Sequence, residues 1–148
     1  ERMDLFDKLR PMKIFLVDDD KWIRDSLSLF FEGEGCHLMA YETAEEALEA
    51  LEEGPVIFIV DYKLPGMDGL EFFKRIQESH PRARKILVTA FADAGVVSKA
   101  VSIGIENFIE KPFTSKTIEE SLLRIIEEEK QKNGSPILPG LSAEGKDL

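Results

Sequence analysis

Several residue types are scarce in this sequence, and each scarcity excludes a class of structure. Cysteine occurs once, at Cys36, so no disulfide can form within the chain. The two histidines, His37 and His80, lack cysteine or histidine partners at the spacing of a zinc site. No apolar run approaches the roughly 20 residues of a membrane helix, and the first residues lack the apolar core of a signal peptide. We therefore expect a cytoplasmic protein without a membrane span.

Basic residues are also in the minority. Lysine and arginine number 19 against 29 aspartates and glutamates, for a net charge of −10. Nucleic-acid binding needs basic surface to neutralise phosphates, so we expect no direct contact with nucleic acid. Much of the excess acid lies in 45–53 and 127–129, which is typical of solvated helix faces.

The length and composition predict one domain with short extensions. The 148 residues are 43% hydrophobic, enough for a packed core. We expect a lead-in segment at 1–11, a domain at 12–131 and a flexible tail or linker, rich in Gly, Pro and Ser, at 132–148. Because the sequence begins with Glu, we expect a fragment or a processed form. The composition leaves open whether the domain acts alone or was cut from a longer protein.

Apolar runs alternate with helical periodicity along the chain. Helical spacings of three and four residues separate the runs, and capping residues such as Asp20, Thr43 and Asp68 precede the apolar stripes. Strict β–α alternation predicts an α/β fold: a doubly wound parallel sheet, (βα)5, covered by helices on both faces. The predicted strands are Lys13–Val17, Cys36–Tyr41, Val56–Val60, Lys85–Val88 and Ile105–Ile109.

The residues that follow the strands carry the chemistry. They are Asp18-Asp19-Asp20, Asp61, Thr89-Ala90 and Lys111-Pro112. Ligands in such folds bind beyond the carboxyl ends of the strands, so we expect these side chains to meet at one edge. Crowded carboxylates stay ionised together only around a cation, and oxygen ligands alone favour Mg²⁺. An Asp carboxylate can act as a nucleophile in phosphoryl transfer.

Each of these residues also has an ordinary structural interpretation. Asp20 is expected to cap the first helix, a lone Thr89 would be structural, and a lone Lys111 would be solvated. Lys-Pro after an apolar strand invites a cis peptide bond. It is the joint placement of these residues after different strands that predicts a site.

Together these motifs make residues 13 to about 130 resemble the receiver domains of response regulators in two-component systems. The matching segments are FLVDDD, IVDYKLPGMDG, LVTA and IEKPF. The resemblance implies a flavodoxin-like five-stranded sheet in the order 2-1-3-4-5. It also implies that Asp61 accepts phosphate from a histidine kinase or a phosphotransfer protein. Asp18 and Asp19 would form the acidic pocket. Mg²⁺ would be held by Asp19, Asp61 and the backbone carbonyl of Lys63, with Asp18 acting through water.

The resemblance implies a switch as well. Thr89 and Lys111 would bind the phosphoryl group, and Phe108 would be the aromatic switch residue that moves with Thr89. The altered surface would be the fourth helix, fifth strand and fifth helix of the (βα)5 order, roughly 93–126. It would bind an output domain, a partner protein or a second copy in a homodimer. Lys63 and Phe91, at positions that tune hydrolysis, suggest slow dephosphorylation.

Three other classes of protein share parts of this pattern. A haloacid-dehalogenase-type phosphatase would use Asp18 and Asp20, but Trp22 and the absence of an acidic pair after Lys111 disagree, and Asp61 would have no role. A pseudo-receiver would bind partners without phosphorylation. A flavin-binding flavodoxin would need a phosphate-binding loop after the first strand, where three aspartates repel phosphate.

Overall fold

The computed structural model describes residues 2–90 and 94–134. Within these ranges the chain forms five strands, β1–β5, and six α-helices, α1–α6. The helices are α1 (Arg2–Leu9), α2 (Lys21–Gly33), α3 (Ala44–Glu49), α4 (Gly69–Ser79), α5 (Ala94–Ser102) and α6 (Ser115–Gly134). The strands are β1 (Lys13–Val17), β2 (His37–Tyr41), β3 (Ile57–Asp61), β4 (Arg84–Thr89) and β5 (Asn107–Glu110). No helix among these residues has the length and apolar character to cross a membrane.

All five strands are parallel and follow the order β2-β1-β3-β4-β5, as predicted. The chain reverses its direction of winding between β1 and β3. β1 pairs with both β2 and β3, so that Ile14 lies opposite Leu38 on one side and Ile57 on the other. The crevice at this reversal is where doubly wound folds place their ligands.

The sheet separates two apolar clusters because successive side chains of a strand point to opposite faces. In β1, Ile14 and Leu16 pack with α1, α2 and α6 on one face. Phe15 and Val17 pack with α3, α4 and α5 on the other. All four side chains are at most 2% exposed. Burial on both faces explains why the strands appear in the sequence as nearly continuous apolar runs.

Helix starts follow the predicted capping residues. The Asp20 carboxylate accepts hydrogen bonds from the backbone N–H groups of Trp22 and Ile23, and so begins α2. Asp68 accepts from Glu71 N at the start of α4. These bonds satisfy backbone donors that have no partner within the helix.

Strands β2 to β5 begin or end one or two residues away from the predicted apolar runs, and two of these shifts involve site residues. β3 and β4 each continue one residue beyond their apolar run, to Asp61 and Thr89, which remain in the sheet ladder opposite Val88 and Glu110. An apolar pattern cannot detect a polar residue that completes a strand. The ladder therefore holds the backbone of both site residues.

The lead-in segment forms part of the packed structure. Leu5, Phe6 and Leu9 of α1 are at most 3% exposed and join the cluster beneath α2 and α6. The Phe6 ring makes edge contacts with the rings of Phe30 and Phe31 at centroid distances of 5.9 and 6.4 Å. Apolar residues at 5, 6 and 9 are compatible with the end of a helix, but so short a stretch does not predict that the segment packs into the core.

Phe6→Ala tests whether α1 belongs to the cooperative unit. We expect the free energy of unfolding to fall by about 3 kcal/mol, because truncation removes a buried ring and leaves a cavity. Urea unfolding monitored by circular dichroism measures it. The matched control is Asp7→Ala on the exposed side of α1, where the surface ion pair with Arg10 stabilises little. An unchanged urea midpoint in Phe6→Ala would mean that α1 does not contribute to folding.

Candidate functional site

Three carboxylates meet at the carboxyl ends of β1 and β3. Asp18 and Asp19 directly follow β1, and Asp61 is the last residue of β3. Asp18 and Asp61 are buried, at 2% and 5% exposure, whereas Asp19 is exposed. The adjacency of β1 and β3 in the sheet brings them together although 42 residues or more separate them in sequence.

The ammonium group of Lys111 lies between the two buried carboxylates. Its Nζ is 3.2 Å from Asp18 Oδ2 and 3.2 Å from Asp61 Oδ2. The backbone N–H of Lys111 donates to the carbonyl oxygen of Thr89 at 2.9 Å. This bond attaches the loop after β5 to the end of β4. The Lys111–Pro112 peptide is cis, as predicted.

A cleft of about 510 Å³ opens over these groups. Thr89 lines it and is 3% exposed, while the Lys63 side chain is exposed at its edge. Phe108 in β5 is half-buried. Its side chain lies on the opposite face of the sheet from the buried Ile109 and packs against the apolar cluster that includes α3, α4 and α5. Phe91 lies outside the described residues. The cleft is lined by Asp19, Asp61, Tyr62, Lys63, Thr89, Ala90, Val96 and Lys111.

The electrostatics of the site follow from burial and crowding. Burial raises the pKa of Asp61 to about 6, and repulsion from Asp18 adds to it, while Lys111 acts in the opposite direction. Burial also raises the pKa of Asp18, although a backbone hydrogen bond from Asp20 and the charge of Lys111 oppose the shift. For Lys111 burial acts to lower the pKa, but the two carboxylates outweigh it and the pKa is raised. The single positive charge of Lys111 therefore does not fully compensate the negative charges of Asp18 and Asp61.

The acidic residues have the arrangement of a cation site. One oxygen each from Asp18, Asp19 and Asp61 lies within 4.8 Å of the others. An all-oxygen donor set suits a hard divalent ion such as Mg²⁺, which retains several waters and needs only a few protein ligands. The residues present therefore fit the ion that the sequence predicts.

The structure also reveals contacts that the sequence did not indicate. Arg24 of α2 donates from Nη1 to the backbone carbonyl of Asp18 at 3.0 Å, and the Asp20 N–H donates to Asp18 Oδ1 at 2.9 Å. These bonds orient Asp18 toward Lys111. Trp22 is 79% exposed and lines a neighbouring groove that also contains Lys111. The sequence could not have predicted the contact between Arg24 and Asp18, because an arginine one helical turn after a capping residue such as Asp20 is common.

The fold and the site together define a class of protein. Its members have a doubly wound sheet with an acidic pocket and a lysine at the point where the direction of winding reverses. The sequence profile of the response regulator receiver domain matches residues 14–123. The chain belongs to the response regulator receiver domain family. Both α1 and the last turns of α6 lie outside the matched range.

This chain matches only part of the length of its curated relatives. The C4-dicarboxylate transport transcriptional regulatory protein DctD of Rhizobium meliloti is 35% identical over 120 residues, which are 80% of this chain and 26% of that protein. A cyclic di-GMP phosphodiesterase of Thermotoga maritima is 34% identical over 68% of this chain and 27% of its own length. The chain thus spans about a quarter of the length of these relatives.

Solved structures share the fold over most of the chain. A CheY-like receiver domain protein from Methanospirillum hungatei JF-1 is 30% identical with a TM-score of 0.69, covering 84% of this chain and 98% of that one. The Vibrio cholerae chemotaxis protein CheY4 has a TM-score of 0.73 at 23% identity, covering 77% of this chain and 98% of that one. The second likeness concerns the fold alone.

Asp61→Asn tests the charge balance of the pocket. Because the folded-state pKa of Asp61 is about 6 against an ordinary 3.8, the native state binds more protons between these values. Without a divalent ion, stability should therefore fall as pH rises from about 4 to 6, and the penalty remains at neutral pH. We expect Asp61→Asn to be more stable than wild type at neutral pH by on the order of 1–3 kcal/mol, and so to unfold at a higher temperature.

Thermal unfolding of both proteins, with and without MgCl₂ and across this pH range, measures the effect. Mg²⁺ should stabilise the wild type much more than Asp61→Asn. A variant that is no more stable than wild type in the absence of Mg²⁺ would contradict the argument that uncompensated charge is buried here.

Proposed function

We propose that this domain is a Mg²⁺-dependent phosphoacceptor in a two-component phosphorelay and that Asp61 is the residue that is phosphorylated. The observation that carries the proposal is the placement of Lys111 Nζ at 3.2 Å from both Asp18 and Asp61, at the mouth of a cleft lined by Thr89. A carboxylate beside a fixed cation and an open cleft can accept a phosphoryl group whose charge would otherwise be repelled.

The proposed donor is the phosphohistidine of a histidine kinase or of a phosphotransfer protein. An Asp61 oxygen forms the new O–P bond while the P–N bond breaks, and the electron pair of that bond returns to the imidazole nitrogen. Lys111 neutralises charge on the transferred oxygens, and the Thr89 hydroxyl donates a hydrogen bond to one of them. The product is an acyl phosphate on Asp61.

The proposed cofactor is Mg²⁺, held by Asp19, Asp61 and the backbone carbonyl of Lys63, with Asp18 acting through water. When bound, the ion supplies positive charge to the phosphoryl oxygens and relieves repulsion among the carboxylates. The compact oxygen cluster and the raised pKa of Asp61 support this assignment.

The domain acts as a switch rather than as an enzyme with an external substrate. Phosphorylation biases an existing equilibrium between two surfaces, in which Thr89 and Phe108 move together. The altered face is α5, β5 and α6, within about 93–126, and it binds an output domain, a partner or a second receiver. Weak autophosphorylation and autodephosphorylation are the only activities that we assign, and this role places the protein in the cytoplasm.

Incubation with acetyl phosphate and MgCl₂, followed by intact-mass measurement, tests the proposal. We expect one phosphoryl adduct in the wild type, lost on addition of EDTA before the donor and absent in Asp61→Asn. Asp20→Asn is the matched control, because Asp20 caps α2 and should leave the adduct intact.

The alternatives give different results. A protein that forms no adduct under any condition would be a pseudo-receiver. Steady phosphate release that persists in Asp61→Asn and stops in Asp18→Asn would identify a phosphatase of the haloacid-dehalogenase type.

Thr89→Ala separates phosphorylation from switching. The variant should still accept phosphate on Asp61, because the nucleophile, Lys111 and the acidic cluster remain. We expect the amide chemical shifts of α5, β5 and α6 to change much less on phosphorylation than in the wild type, since the hydrogen bond that draws residue 89 inward is lost. Shift changes equal to those of the wild type would exclude Thr89 as the switch.

A further inference from the structure

The loop between β3 and α4, residues 62–68, contains the proposed metal-binding carbonyl of Lys63. Its ends are held by the protein backbone. Tyr62 N–H donates to the carbonyl of Val88 at 2.7 Å, and Gly69 N–H donates to the carbonyl of Tyr62 at 2.8 Å. A side chain at Gly69 would collide with the carbonyl oxygen of Asp61, so this end of the loop packs directly on the phosphoacceptor strand.

The tip of the loop is held differently. For the backbone N–H and C=O groups of residues 63–67, the described part of the chain provides one hydrogen bond, from Met67 N–H to Glu45 Oε2 at 3.1 Å. Glu45 belongs to the first turn of α3, 22 residues away in sequence. This bond therefore joins the tip to a different element of the fold.

Gly66 makes room for this contact. Its φ is +76°, and a Cβ atom there would lie 2.8 Å from Glu45 Oε2. The carboxylate thus lies against the bare backbone of the turn. The neighbouring Glu46 has another role, since its Oε1 accepts from the N–H of Glu42 in the capping of α3. Of these two adjacent glutamates, only Glu45 reaches the loop.

We infer that Glu45 is a positioning residue for the metal site: it orders the loop tip so that the Lys63 carbonyl is available before the ion binds. This inference rests on the proposed function. A backbone ligand on an unrestrained turn must lose its conformational freedom when the ion binds, and that loss weakens binding. A loop restrained beforehand binds the same ion more tightly. The acceptor oxygen is what matters, because the Met67 N–H needs an acceptor and not a charge.

Mg²⁺ titration of the full chain, followed by the fluorescence of Trp22 and checked by calorimetry, tests the inference. Glu45→Ala should weaken Mg²⁺ binding about three- to tenfold, the range expected for loss of one hydrogen bond. Glu45→Gln keeps an acceptor oxygen without the charge and should bind within about twofold of wild type. Glu49→Ala, on the exposed side of the same helix, removes an equal charge and should also bind like wild type.

Two further measurements separate positioning from a general structural role. Without Mg²⁺ both variants lose the charge from the first turn of α3, and Glu45→Ala should be less stable than Glu45→Gln only by the contribution of one exposed hydrogen bond. At saturating Mg²⁺, phosphorylation of Glu45→Ala by acetyl phosphate should return to nearly the wild-type rate.

The outcomes distinguish this inference from the proposed function. If wild type binds Mg²⁺ and forms the Asp61 adduct but Glu45→Ala binds equally tightly, the positioning role is excluded and the function stands. If Glu45→Gln is as weak as Glu45→Ala, the charge rather than the hydrogen bond is responsible, and the inference is again overturned. If wild type neither binds Mg²⁺ nor accepts phosphate, the proposed function itself fails.

Discussion

The burial of like charges at the ends of β1 and β3 is the constraint on which the rest of this structure depends. Asp18 and Asp61 are almost fully buried beside each other, and one ammonium, Lys111, is shared between them. Burial of a charge is costly unless it is paired, and here the pairing is incomplete. The pKa values of both carboxylates are raised because the groups are buried with incomplete pairing. A divalent cation is the kind of ligand that would compensate the remaining negative charge.

The remainder of the fold keeps these charges in place. The sheet ladder fixes the backbones of Asp61 and Thr89, the Lys111 N–H is bonded to the Thr89 carbonyl, and Arg24 holds the carbonyl of Asp18. These restraints come from four different segments of the chain. A site assembled in this way holds its charged groups close together through restraints from separate parts of the fold.

The N-terminal helix shows how a domain of a common family can acquire additional packing. α1 lies outside the range that matches the family, yet its apolar residues complete the cluster between α2 and α6. Phe6 contacts Phe30, which also lines the groove that contains Trp22 and Lys111. The stability of the domain and the shape of this groove are therefore linked to a segment that the receiver fold does not require.

The sequence by itself determined the fold class and predicted which polar residues follow the strands, and the family resemblance implied the strand order. Strands buried on both faces leave continuous apolar runs, and the carboxyl ends of parallel strands converge, so Asp18, Asp61, Thr89 and Lys111 could be placed at one edge. Capping by Asp20 and Asp68 could be predicted equally well, because a cap depends on residues within one turn. Only the tertiary structure decided that Lys111 is shared equally by two carboxylates, that Arg24 reaches Asp18, that Glu45 reaches Met67 and that α1 enters the core. Each of these depends on the distance between elements far apart in sequence, and no local periodicity contains that distance.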